Sequence, residues 1–218
     1  MLAIPIGLLA IAAVPQPPIQ HRTEPQPDGS ASVFRVFREN PTLFVIYGLM
    51  FFGNILLYSI VIFLPQLLES FGISSTFQIG LFITAMTASA GTTAFIYGKI
   101  RSRFSYRVIV TIAVALWTVG FTTISQAPGS RIIALAVALF GVSQGLILPT
   151  VMVWIGDVVP TSFRGRFSSY LGTFGFIGQF LSPILFAPVF MLVGLKGVFM
   201  VGAGVGGVWF LILFYGVG

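Results

Sequence analysis

Charged residues are confined to short gaps between six long apolar runs. Asp, Glu, Lys, Arg and His are absent from residues 40–68, 70–98, 108–130, 132–156, 167–195 and 197–218. A helix needs about 20 mostly apolar residues to cross a bilayer, because about 30 Å must be covered at about 1.5 Å per residue. Lipid offers the backbone no water, so each run must close its own hydrogen bonds as an α-helix. The sequence therefore predicts an all-α integral membrane protein with a six-transmembrane-helix bundle.

The composition supports this class and excludes several others. Only 7% of the residues are charged, whereas soluble domains carry about 25%. The net charge of +6 arises from basic residues at the ends of the apolar runs, a placement that membrane topology explains without a nucleic-acid partner. The chain has no Cys, which excludes disulfides, thiol catalysis and Cys-based metal sites.

Lys and Arg are distributed unevenly over the gaps, and this predicts an orientation. Nine of the eleven basic residues fall on one side of the predicted membrane, and the positive-inside rule assigns that side to the cytoplasm. We expect a multi-pass protein of the cell membrane whose linker and C-terminus are both cytoplasmic. The nine residues are Arg22, Arg35, Arg38, Lys99, Arg101, Arg103, Arg107, Arg164 and Arg166, and the other two are Arg131 and Lys196.

The chain before the first full span divides into two segments. Residues 1–14 are apolar but reach only about 21 Å as a helix, so we interpret them as the tail of a preceding transmembrane helix. A signal peptide is the alternative, although the basic n-region is missing. Residues 15–41 are predicted to be a cytoplasmic linker, Pro-rich at first and ending in a short interfacial helix from Val33 to Glu39. Residues 42–218 form the bundle, with spans at about 42–66, 78–98, 108–127, 131–156, 168–193 and 197–217.

Polar side chains inside the spans are the candidate functional groups. Tyr47, Asn54 and Tyr58 share one face of the first span. Because an amide is costly in hydrocarbon, Asn54 should face a cavity or a partner helix. Contact with a substrate and an interhelical hydrogen bond both remain open. The small residues along one face of the second span, from Gly80 to Gly98, are interpreted as a packing face.

The absence of other polar groups excludes most chemistry. No acidic residue lies within a span, so an intramembrane proton relay of the Asp/Glu type is not present in this sequence. The only His is His21, in the linker, so no His metal cluster can form. We therefore predict no enzyme activity, no cofactor and no metal.

The gap after the second span resembles the repeated cytoplasmic loop motif of the major facilitator superfamily (MFS). That motif runs Gly, any residue, an aliphatic residue, any residue, Asp, Arg, and then Gly and basic residues. Residues 98–107 match at Gly98, Ile100, Arg103 and Arg107. They depart from it at Ser102, in the Asp position, and at Ser105, in the Gly position.

A second loop strengthens the resemblance. Residues 157–166 are similar to the family's acid-x-x-Pro-x-x-x-Arg-Gly segment, with Asp157, Pro160 and Arg164 in place. They lead into residues 175–183, which resemble the Gly-rich, Pro-ending fifth span of the C-terminal half. The order, spacing and sidedness of these segments make the chain similar to the C-terminal half of an MFS transporter, most like drug and small-molecule efflux carriers.

The resemblance implies secondary active transport of a small molecule by alternating access between two six-helix halves, each with two inverted three-helix repeats. The expected partners are the lipid bilayer, the substrate and the missing N-terminal half, in the same or a separate chain. Proton-coupled efflux would then place its acid in that other half. The alternative is a non-transporting membrane subunit or a remnant of a truncated transporter gene.

The substrate-cavity candidates are Tyr47, Asn54, Tyr58, Gln144, Trp154 and Gln179, and the cytoplasmic loop and gate candidates are Gly98, Arg103, Arg107, Asp157, Arg164 and Arg166.

Overall fold

The structure, a computed structural model, describes residues 31–215, and the regular elements in that range are all helical. The predicted helix tail at 1–14, the Pro-rich part of the linker and His21 lie outside the described residues. A short 3₁₀-helix, Thr161–Phe163, precedes the last α-helix. The α-helices are α1 (Ala31–Glu39), α2 (Thr42–Ser70), α3 (Thr76–Arg101), α4 (Tyr106–Gln126), α5 (Ser130–Val158) and α6 (Arg164–Tyr215).

Helices α2 to α6 are the membrane-spanning part of the fold. Four of the five spanning segments are α2, α3, α4 and α5, and the fifth runs from Thr161 to Tyr215. Each contains a stretch with a mean hydropathy between 1.5 and 2.2. Their length and apolar composition make the chain a multi-pass membrane protein whose described part is all-helical.

Helix α1 crosses the boundary between two structural units, one ending at Arg35 and one beginning at Val36. Within the second unit, the ring of Phe37 lies 5.5 Å from that of Tyr47 and 5.2 Å from that of Phe167. The end of α1 is therefore anchored by aromatic packing. The interfacial location expected for this helix stays a prediction.

Helix α6 is interrupted at Gly194, and its two parts run in opposite directions. Gly194 has φ of 70°, in the left-handed region that favours glycine. Before Gly194, later residues of α6 contact later residues of α2. Gln179 bonds to Asn54, Ser182 bonds to Ile55, and Phe190 packs on Phe63. The first part of α6 is therefore parallel to α2.

After Gly194, later residues of α6 contact earlier residues of α4. The carbonyl of Lys196 accepts a hydrogen bond from Ser125 near the end of α4, and Phe199 packs on Phe121 earlier in that helix. Further on, Trp209 packs on Phe52 of α2. Residues 195–215 therefore run antiparallel to α4 and to residues 164–193. The reversal lies between the predicted fifth and sixth spans.

Helices α3 and α5 approach each other closely, and glycines of α5 make this approach possible. A Cβ atom at Gly141 or Gly145 would overlap with the carbonyl of Met86 or Ala90 on α3. The small residues predicted as the packing face of α3 lie elsewhere, because a Cβ atom at Gly80, Gly91 or Gly98 would meet no other atom within 4 Å. The face of α3 that packs within this part of the chain instead carries Met86, Thr93 and Tyr97.

Candidate functional site

A cavity of about 460 Å³ lies where α2, α3 and α5 meet. Its volume is within the range of small-molecule sites. The close contact between α3 and α5 forms its back, since Ala90 and Gly145 belong both to that contact and to the lining. The lining residues are Leu49, Met50, Gly53, Asn54 and Leu57 from α2; Met86, Thr87, Ala90, Gly91 and Ala94 from α3; and Gln144, Gly145, Ile147, Leu148 and Pro149 from α5.

Asn54 is held in one orientation on the α2 wall of the cavity. Its Nδ2 donates to the carbonyl of Met50 at 2.8 Å, and its Oδ1 accepts from Nε2 of Gln179 at 2.9 Å. Because a carbonyl can only accept, the bond to Met50 fixes which end of the amide is the donor. One N–H of Asn54 remains for a further acceptor. Asn54 can therefore offer a donor to a bound molecule.

Gln144 occupies the α5 wall and is also oriented by α2. Its Nε2 donates to the carbonyl of Gly53 at 3.0 Å. Its Oε1 accepts no hydrogen bond from residues 31–215. Gln144 can therefore supply a donor and an acceptor next to the donor of Asn54.

Pro149 adds one more polar group to the same wall. It lies within α5 and lines the cavity. Since proline has no N–H, the carbonyl of Gly145 lacks its usual helical donor. Both residues border the cavity, so a backbone acceptor lies beside the Gln144 amide.

The cavity has no ionisable side chain among its described lining residues. Its walls are mostly aliphatic, with the two amides and Thr87 as polar side chains, and Thr87 bonds to its own helix at Ile83. Residues 31–215 also hold no group of three His, Asp or Glu able to bind a metal ion. The arrangement can bind a neutral molecule with hydrogen-bonding groups.

The other cavity candidates lie outside this lining. Tyr47 is buried and donates from its hydroxyl to the carbonyl of Phe167 at 2.8 Å. It borders a separate cavity of about 320 Å³ lined mostly by aromatic rings. Tyr58 is half-buried, one helical turn beyond Asn54. Gln179 reaches the site only through Asn54, and Trp154 lies elsewhere in α5.

Trp154 belongs to a stacked cluster that joins the ends of α3, α4 and α5. Its indole stacks on the ring of Tyr106 at 5.3 Å with an interplanar angle of 15°. The guanidinium of Arg101 lies over the ring of Tyr106 as well, 3.8 Å from the centroid, as a cation–π pair. The Tyr106 hydroxyl donates to Oδ2 of Asp157 at 2.5 Å. The carboxylate predicted at the gate is thus bound to a tyrosine.

The remaining gate candidates are dispersed over the exposed surface. Gly98, Arg103 and Arg107 are exposed near the end of α3 and the start of α4. Arg164 donates to the carbonyl of Val159 at 3.3 Å, and Arg166 is exposed near the start of α6. Of the six candidates, only Asp157 is part of the stacked cluster.

Sequence reasoning missed Arg101 and Tyr106 as members of this cluster. Tyr106 occupies a position where the family's loop motif has a basic residue. This departure from the motif could have marked Tyr106 as a candidate. Here the phenol of Tyr106 donates a hydrogen bond to the Asp157 carboxyl group, whereas a basic residue would form an ion pair with it. Ser102, in the motif's Asp position, bonds only to the carbonyl of Lys99 at 2.8 Å.

Comparison with known proteins identifies two relationships. The family model of the Major Facilitator Superfamily matches residues 43–217. The chain is also 29% identical over 119 residues to "MFS-type transporter TwmF" of Talaromyces wortmannii. That alignment covers 55% of this chain and 22% of the relative, so the chain matches about a fifth of that protein's length.

Proposed function

Because this chain belongs to the Major Facilitator Superfamily, we propose that it carries a small molecule across a membrane by secondary active transport. In this proposal it is the C-terminal six-helix half of a carrier, and alternating access moves the substrate through a site between two halves. The cavity with Asn54 and Gln144 on facing walls carries the proposal. The similarity to an MFS-type transporter supports it.

The reversal at Gly194 supports the six-helix count. Residues 164–193 and 195–215 would each cross the membrane, since each reaches about 30 Å or more at about 1.5 Å per residue. Together with α2 to α5 they would form six spans in two inverted three-helix repeats. Positive-inside topology would place the linker and the C-terminus in the cytoplasm of a cell membrane.

Asn54 and Gln144 are proposed to contact the substrate, and Gln179 to orient Asn54. The cluster of Arg101, Tyr106 and Asp157 would hold the cytoplasmic ends of three helices together when the inner side is closed. The cavity has no titratable side chain among its described lining. A proton-coupled efflux carrier would therefore place its titratable group in the other half.

The size of the native polypeptide tests the two-half arrangement. An antibody against residues 15–28 would be used to blot the native membranes. A band near twice the 23.5 kDa of this chain is expected for a carrier with both halves in one polypeptide. A band near 23.5 kDa would require a separate partner, and failure to recover one would contradict the two-half carrier.

Substitutions in the cavity test the site in the complete carrier. Gln144→Leu should lower the transport rate about 5- to 150-fold, because leaving a buried polar group without its partner costs about 1–3 kcal/mol. Gln66→Leu is the matched control, since Gln66 is exposed on α2 and bonds only to its own helix at Ile62. Equal transport by both variants would remove Gln144 from the substrate site. The purified 218-residue chain alone is expected to give no transport in vesicles.

A further inference from the structure

A second cavity, at the end of α3, combines positive charge with apolar walls. Its volume is about 390 Å³, and it lies at the C-terminal end of this candidate membrane-spanning helix. Its described lining contains two cations and no acid. The lining residues are Ile96, Lys99, Ile100, Ser102, Arg103 and Phe104.

The two cations of this cavity have no partner within the described chain. Neither the Lys99 ammonium nor the Arg103 guanidinium has an ion-pair or hydrogen-bond acceptor among residues 31–215. Arg101 is different, because its guanidinium lies over Tyr106 and donates weakly to the carbonyl of Phe104 at 3.4 Å. Of the three cations between Lys99 and Arg103, Arg101 is therefore already bound, and Lys99 and Arg103 are available.

Neither of these two cations donates a hydrogen bond to a carbonyl at the end of α3 within the described residues. A helix C-terminus attracts positive charge through its unsatisfied carbonyls. Here the carbonyl of Gly98 accepts from the N–H of Ser102, and the carbonyl of Ile100 accepts from the N–H groups of Arg103 and Phe104. Those carbonyls are already bonded within the loop, so the side chains of Lys99 and Arg103 can act on a ligand.

The lining combines two cations with exposed apolar side chains, as a phospholipid combines a charged headgroup with acyl chains. Ile96 lies about one turn before Lys99 in α3 and is 44% exposed, and Phe104, which follows Arg103 in the loop, is 46% exposed. Acyl chains would contact these apolar side chains, while a phosphate would lie at the level of Lys99 and Arg103. A soluble anion would gain nothing from the exposed Ile96 and Phe104.

We propose that this cavity binds the headgroup of an anionic phospholipid, with Lys99 and Arg103 contacting its phosphate and Ile96 and Phe104 its acyl chains. The site is separate from the Asn54–Gln144 cavity, with which it shares no lining residue. It is independent of the substrate that the chain carries. Clusters of Lys and Arg at the edge of a spanning helix are the usual chemistry of such recognition.

Native mass spectrometry of the purified 218-residue chain tests the proposal. The protein, in detergent, is titrated with phosphatidylglycerol or with phosphatidylcholine, and the lipid adducts are counted. Phosphatidylglycerol should bind more tightly, and K99Q/R103Q should weaken it about 25-fold, since each basic side chain near an anionic lipid contributes about fivefold. Phosphatidylcholine binding should not change.

The matched control is R131Q/K196Q, which removes the same charge from basic residues predicted to lie on the opposite side of the membrane. It should retain phosphatidylglycerol binding within about twofold, and K99R/R103K should do the same. Circular dichroism of each variant in phosphatidylcholine checks that it is folded. If K99Q/R103Q does not fold, a competition experiment on the wild-type chain tests the proposal instead. Displacement of phosphatidylglycerol by glycerol phosphate at equal concentration would overturn a lipid site. No displacement would support it.

Three results would overturn the proposal outright. The first is equal affinity of the wild-type chain for the two lipids. The second is unchanged affinity of K99Q/R103Q for phosphatidylglycerol. The third is an equal loss of phosphatidylglycerol affinity in K99Q/R103Q and R131Q/K196Q. The last would indicate a general effect of net charge.

Discussion

At the scale of single residues, polar side chains from two later helices bond to one short stretch of α2. Gln144 bonds to the carbonyl of Gly53, Gln179 to the side chain of Asn54, and Ser182 to the carbonyl of Ile55. Such bonds between membrane helices contribute on average about 0.6 kcal/mol, and at most about 1.7 kcal/mol. Three of them within three residues make this stretch the polar centre of the described bundle.

A double-mutant cycle on Asn54 and Gln179 measures the bond between them. We expect Asn54→Ala and Gln179→Ala each to lower the free energy of unfolding by about 1 kcal/mol, because each leaves an amide without its partner. The double variant should lose about 0.6–1.7 kcal/mol less than the sum of the two. Thermal or denaturant unfolding in detergent gives the values. Additive losses would show that the 2.9 Å contact contributes no stability.

Some of these residues can be identified from the local sequence, and others only from contacts between distant parts of the chain. Asn54 and Gln144 are amides within apolar runs, so the sequence identifies them without knowledge of the fold. The bond from Gln179 to Asn54 joins residues 125 positions apart, and no local pattern encodes that distance. Trp154 was expected to line the cavity with Gln144, but its ring stacks on Tyr106 where the helices end.

At the scale of helices, the closeness of α3 and α5 depends on two glycines of α5. We expect Gly141→Ala and Gly145→Ala each to lower the free energy of unfolding by about 1–3 kcal/mol, because the methyl group would overlap with a backbone carbonyl of α3. Gly91→Ala is the control, since nothing lies within 4 Å of its Cβ position. Unfolding in detergent is the measurement, and an equal effect at all three positions would refute close packing by α5.

The reversal of α6 makes a separate prediction at Gly194. Its φ of 70° is strained for any residue with a side chain, although nothing within 4 Å would obstruct a Cβ there. Gly194→Ala should therefore cost about 1–3 kcal/mol through the backbone alone. Gly204→Ala, also in open space but helical, should have little effect or stabilise slightly. Indistinguishable melting temperatures for the two variants would mean that the turn adopts another conformation.

Helix class was predictable here because uncharged runs of this length leave the backbone no other way to satisfy its hydrogen bonds. The residues at which the helices end were less predictable. Helix α2 continues to Ser70, beyond the predicted end at about residue 66, and includes Pro65. Only contacts from other helices distinguish the packed face of α3 from its small-residue face, because small residues suit a cavity wall as well as a tight interface.

At the scale of the whole molecule, the absence of cysteine makes the predicted topology testable. Ser74→Cys and Ser162→Cys each introduce a single thiol at an exposed position outside α2 to α5. A membrane-impermeant maleimide should label Ser74→Cys in intact cells and Ser162→Cys only after permeabilisation, since the basic loops are expected inside. The parent chain is the unlabelled control. Labelling of both positions in intact cells would contradict the orientation.

The long separation between Asn54 and Gln179 also affects how the protein is made. Ribosomes add about 5–20 residues per second, so Gln179 is synthesised about 6–25 s after Asn54, 125 residues earlier. The Asn54 N–H can bond to Met50 at once, but its oxygen stays without the Gln179 partner until that residue is made. During this interval an insertion machinery that shelters α2 from lipid would protect the nascent chain.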